Sequence, residues 1–101
     1  MPYIIEPRRE VLDPKIDELV AQLKAMNAQD GDYNYTITRI LASGLDVGKN
    51  PKYSKINKII GVLECIKLEL YRRIANRYEE DKKITNGDVL EYEHFDKREV
   101  T

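Results

Sequence analysis

Apolar residues recur at helical spacing in three stretches of the chain. In the first, Ile16, Leu19, Val20, Leu23 and Met26 follow the i, i+3, i+4, i+7 pattern of one helix face. Asp13-Pro14 stands just before them. An aspartate accepts hydrogen bonds from the unpaired N–H groups of a first turn, and proline is tolerated at the first helical position, so a helix is predicted to start there. Polar and turn-forming residues at 27–31 end it. In the second stretch Asp32 is the cap and Tyr33, Ile37, Ile40 and Leu41 share a face. Ser43-Gly44 is the expected stop, and residues 46–50 read as a loop. The third stretch opens on Asn50-Pro51 and extends to about Glu79, with Ile56, Ile59, Ile60, Leu63, Ile66, Leu70 and Ile74 as its main apolar face. At ~1.5 Å per residue it spans ~40 Å. Residues 79–83, Glu-Glu-Asp-Lys-Lys, form a solvated exit.

The ends of the chain are less regular. Tyr3-Ile4-Ile5 reads either as a short strand or as an arm packed on the core. Asn86-Gly87 is a strong turn signal. Residues 89–95 partly alternate and read as a weak strand that would pair with residues 3–5, and residues 96–101 are expected to fray. The predicted fold is all-α or mainly α: a three-helix bundle with a long central third helix, with or without a short terminal strand pair. Residues 1–89 form one helical domain with an N-terminal arm, and residues 90–101 a C-terminal tail.

The third helix has a second face. At about 100° per residue, Gly61, Cys65, Leu68 and Ala75 lie opposite the main apolar face, interrupted by Arg72. Water would favour charges there. Glycine inside a helix costs ~1 kcal/mol relative to alanine, and close approach of another backbone is one reason to keep it. Gly61, Cys65 and Leu68 are therefore the expected face of a homodimer, with the chain's own terminal segments as the rival cover. Asn57, Glu64 and Tyr71 form a polar row beside that face, read mainly as a hydrogen-bonded helix seam and alternatively as a ligand-facing row.

Composition limits the chemistry. Seventeen Lys and Arg nearly balance eighteen Asp and Glu, so the cation surplus of a nucleic-acid binder is absent overall. One cysteine, Cys65, and one histidine, His94, exclude an intramolecular disulfide and a cysteine- or histidine-rich metal site, and no metal ligands or cofactor are expected. The first residues lack a signal peptide's apolar core, and no apolar run approaches the ~20 residues of a membrane span. A cytoplasmic location away from membranes is the expectation.

Two patterns raise the question of chemistry. Glu64 and Glu69 are five residues apart and diverge by about 140° around a helix, so they do not form a paired carboxylate site; Glu69 stands four before Arg73, as in a surface ion pair. Lys67, Arg72, Arg73 and Arg77, interleaved with Tyr71 and Tyr78, form the best phosphate or partner patch. Glu69, Glu79 and Glu80 lie close enough to neutralise it, and cations near a helix C-terminus are favoured by its dipole in any case.

Several strings carry a resemblance: the opening Met1-Pro2-Tyr3-Ile4, Asn34-Tyr35-Thr36-Ile37-Thr38-Arg39, the run from Ile56-Asn57 through Gly61-Val62-Leu63-Glu64-Cys65 to Lys67-Leu68-Glu69-Leu70-Tyr71-Arg72-Arg73, and Asn86-Gly87-Asp88-Val89. Together they resemble a small uncharacterised family of microbial and phage proteins, a domain of unknown function. The likeness covers the chain up to Val89. It implies an autonomous small domain and no particular activity.

The sequence thus points to a non-catalytic homo-oligomeric or partner-binding module. The alternative is a helical nucleotide-binding or Mg-dependent nucleotide pyrophosphohydrolase-like protein, similar to the MazG-type enzymes in size and helicity only. A nucleic-acid accessory factor using Arg72, Arg73 and Arg77 is the weaker third reading.

Overall fold

The computed structural model describes residues 2–45 and 47–98. All of its regular structure is helical: α1 (Glu6–Ala25), α2 (Asp30–Leu45), a 3₁₀ turn (Val47–Lys49), α3 (Tyr53–Leu70), a π-helical turn (Tyr71–Ala75), α4 (Asn76–Asn86) and α5 (Leu90–Asp96). There is no strand among the described residues. The chain divides into two compact units, Met1–Cys65 and Ile66–Thr101.

In the first unit, α1 begins at Glu6, seven residues before the expected Asp13-Pro14 start, and Pro14 lies inside it. Glu6-Pro7 offers the same signal earlier: an acid at the positive helix end, then a proline whose missing N–H needs no partner in the first turn. Only residues 2–5 remain as an arm, with Ile5 in extended conformation. Helix α1 ends where the sequence predicts. Asn27 takes a left-handed φ of 50°, a conformation asparagine tolerates. The Ala28 N–H donates to the Leu23 carbonyl at 3.0 Å and the Asn27 N–H to that of Lys24 at 3.1 Å, which satisfies the last carbonyls of the helix.

Asp32 caps α2 from inside its first turn. Its carboxylate reaches back and accepts the Gln29 N–H at 2.8 Å, while the Asp32 N–H donates to the Gln29 carbonyl at 2.9 Å. Gly44 does not stop the helix, which continues to Leu45. Asp46, the first residue of the expected loop, lies outside the described residues. Helix α3 starts at Tyr53, close to the expected Asn50-Pro51, with Asn50 at a left-handed φ of 54°.

In the second unit the expected charged exit at 79–83 is helical, because α4 continues to Asn86. It ends at Gly87, where φ is +89° and the N–H donates to the Lys83 carbonyl at 2.9 Å. The Asn86-Gly87 signal therefore marks a helix end, not a hairpin. Residues 89–95 correct the expectation of a strand paired with residues 3–5, since 90–96 form α5. Val89, Tyr92 and Phe95 recur every three residues, and Lys97 donates to Glu93 four positions earlier at 2.8 Å; both spacings suit a helix. Of the residues expected to fray, Asp96 belongs to α5 and Arg98 lies over the Phe95 ring at 4.6 Å, while 99–101 lie outside the described residues.

No described residue is buried, so neither unit has a closed core. Leu23, Leu41, Leu45, Ile56 and Ile59 are half-buried in the first unit; in the second the half-buried residues are Ala75 and the charged Glu69, Lys83, Asp88 and Glu93. On α3, Ile60 and Leu63 of the main apolar face are exposed.

Candidate functional site

The second face of α3 is as open as the first. Leu68 is 58% exposed, Cys65 is a free exposed thiol, and no atom lies within 4 Å of where a Cβ on Gly61 would stand. Glycine here relieves no crowding from the described chain. Alanine would fit, yet the helix keeps the residue that stabilises it least. Asn57 and Glu64 are exposed on α3, and Tyr71, 52% exposed, opens the π-helical turn.

That turn interrupts the α-helical hydrogen bonding over Tyr71–Ala75. Insertions of this kind often accompany function. It carries Arg72 and Arg73 of the expected phosphate patch. Arg72 Nη2 donates to Glu69 Oε1 at 2.7 Å and Arg73 Nε donates to the same oxygen at 3.3 Å. Glu69 keeps only 20% of its side chain exposed under them, while each guanidinium remains more than half exposed. The patch is therefore partly neutralised from within, as the Glu69–Arg73 spacing predicts. Lys67 and Glu64 also take part in interactions of their own. Among the described residues no group of three Asp, Glu, His or Cys side chains lies close enough to hold a metal ion.

Two ion pairs in the second unit shift titrations. The hydrogen bond from Lys97 holds the Glu93 carboxyl below its ordinary range and raises Lys97 in return. Lys83 is raised chiefly by its hydrogen bond to Glu80, at 3.1 Å, and further by the negative field of Asp88 and Asp96.

A basic stretch escaped the sequence reading. Lys49, Lys52, Lys55 and Lys58 recur every third residue, all exposed, with no ion pair among the described residues and no Asp or Glu between positions 46 and 64. The signal is the absence of acids around evenly spaced lysines.

No helix among the described residues is long and apolar enough to cross a membrane. No curated protein and no solved structure matches this chain. Residues 1–89 match the family described as Domain of unknown function (DUF6899). The match spans α1 to α4 and stops at Val89, leaving α5 beyond it. The chain accordingly belongs to the DUF6899 family, and the family carries no assigned activity.

Proposed function

We propose that this protein is a non-catalytic homo-oligomeric module, assembled through the two open faces of α3. One observation carries the reading: no described residue is buried, although the sequence supplies the apolar faces of a packed bundle. Ile60, Leu63, Ile66 and Leu70 on one side of α3 and Leu68 on the other are between 40% and 60% exposed. Monomers seldom leave contiguous apolar surface of this extent in water. A standard complex buries about 800 Å² per partner, and obligate homodimers bury more. A second copy thus supplies enough area to complete the three-helix layers that one chain leaves open, with α3 at the centre. Gly61 and Cys65 let two α3 helices approach, with Asn57 and Glu64 at the edge of the contact. In this account residues 1–89 become a single cooperative domain only on assembly, in a cytoplasmic setting without membrane contact.

The test is the concentration dependence of thermal unfolding. When folding and association are coupled, stability follows protein concentration by mass action. The midpoint should rise steadily as concentration is raised a hundredfold. A midpoint independent of concentration, with a full cooperative transition, contradicts the proposal.

A further inference from the structure

The formal charge of −1 conceals two opposed blocks. Residues 47–63 carry Lys49, Lys52, Lys55 and Lys58 and no acid; residues 79–96 carry seven acids against Lys82 and Lys83. The first turn of α3 holds no acidic residue, and Lys52 and Lys55 stand at its positive end. Cations there are disfavoured by the helix dipole, so the stripe does not serve the stability of its own helix. It also finds no ion pair among the described residues.

The acidic block is shaped as a notch. Four acids, Glu79, Glu80, Asp88 and Asp96, outnumber Lys82 and Lys83 in lining the space between α4 and α5, and Val89, Tyr92 and Phe95 add apolar surface to it. These three apolar side chains are 54%, 67% and 61% exposed. Lys83 is raised chiefly by its partner Glu80, with smaller contributions from Asp88 and Asp96 across the notch. The basic stripe has apolar company of matching kind: Tyr53 is 76% exposed and Ile60 57%.

We infer that the lysine stripe Lys49, Lys52, Lys55 and Lys58 of one copy docks on the acidic, aromatic-lined notch between α4 and α5 of a second copy. This rests on the self-association proposed above but names a different contact, polar where the α3 faces are apolar. Charge complementarity selects the occupant. A nucleic-acid strand or an anionic membrane matches the stripe alone, whereas a second copy carries a block of the matching sign for each. Such complementarity sets register and is weakened by salt.

Two charge-reversed full-length proteins test the contact: Lys52→Glu/Lys55→Glu/Lys58→Glu and Glu79→Lys/Asp88→Lys/Asp96→Lys. Five of the six side chains are exposed and Asp88 is half-buried, so circular dichroism checks that helicity is kept. Mass is read by light scattering, alone and mixed one to one, in low and high salt. Each variant alone should associate at least ~10-fold more weakly than the parent in low salt. The equimolar mixture should regain the parent mass, since each variant then offers one complementary pair. Variants that keep the parent mass and salt response overturn the stripe contact and leave the apolar assembly standing. A parent that is monomeric in low and high salt alike overturns both. Stripe-dependent binding of a single-stranded oligonucleotide or of anionic vesicles, with self-association unchanged in the lysine variant, assigns the stripe to that partner and likewise overturns the inference.

Discussion

Arg72 donates to Glu69 Oε1 at 2.7 Å across one helical turn, at the start of the π-helical turn that follows α3. The same oxygen accepts from Arg73. One half-buried carboxylate thus holds both arginines of the patch that most resembled a phosphate site, and their geometry is set by Glu69 before any ligand arrives. Exposed pairs of this kind contribute little individually. Glu69→Gln should lower unfolding free energy by about 0.3–1 kcal/mol, read by urea denaturation, and should raise retention on a polyanion column by releasing two cations. Unchanged retention would show that the arginines are not held by Glu69 in solution.

Glu93 and Lys97 give α5 a pH signature. The carboxyl is depressed below its ordinary 4.5, so its contribution is present above that value and is lost as pH falls through the folded-state value. Lys97 is raised above 10.5, so its contribution is present below that value and is lost as pH rises through the folded-state value. Between the two limits the pair is insensitive to pH. Lys97→Ala should return the Glu93 carboxyl to its ordinary titration range, followed by the NMR shift of its side-chain carbonyl carbon. A Glu93 that titrates identically in the parent and the variant would contradict the pairing.

Asn27 closes α1 with a left-handed backbone. Asn27→Gly should hold or slightly raise stability, whereas Asn27→Val should lower it by about 1–2 kcal/mol, because a β-branched residue strains there. Thermal unfolding of the two variants checks the order; equal midpoints would show that the helix ends elsewhere.

Much of this fold is legible in the sequence, for physical reasons that also mark where the reading stops. The spacing of Ile16, Leu19, Val20 and Leu23, and that of Ile56, Ile59, Ile60 and Leu63, identifies α1 and α3, since periodic apolar faces arise from helix geometry alone. Asp13-Pro14 and Glu6-Pro7 both signal a start for α1, and local rules do not choose between the two. Residues 89–95 alternate weakly enough to mimic a strand, but a strand needs a partner, while α5 satisfies its own backbone. Packing is the part the pattern does not contain. An apolar face calls for cover without naming it, and here the described chain leaves Leu63 and Leu68 uncovered on opposite sides of α3. The candidate residues fared similarly. Arg72 and Arg73 come together with Glu69 as their spacing requires, while the lysines at 49–58 went unnoticed because each looks ordinary alone.

Gly61 separates helix stability from assembly. No atom lies within 4 Å of its absent Cβ, so Gly61→Ala should stabilise the dilute protein by about 1 kcal/mol. Gly61→Leu should push two α3 helices apart and weaken association instead. The opposite ranking, with alanine destabilising at every concentration, would show that Gly61 is crowded by its own chain.

The central claim is that the open faces of α3 belong to an interface between copies. Light scattering of the intact protein from low to high micromolar concentration tests it most directly. The account predicts a mass of at least twice 11.8 kDa at the upper end, falling toward the monomer for Gly61→Leu. A folded protein that remains at 11.8 kDa throughout would contradict it.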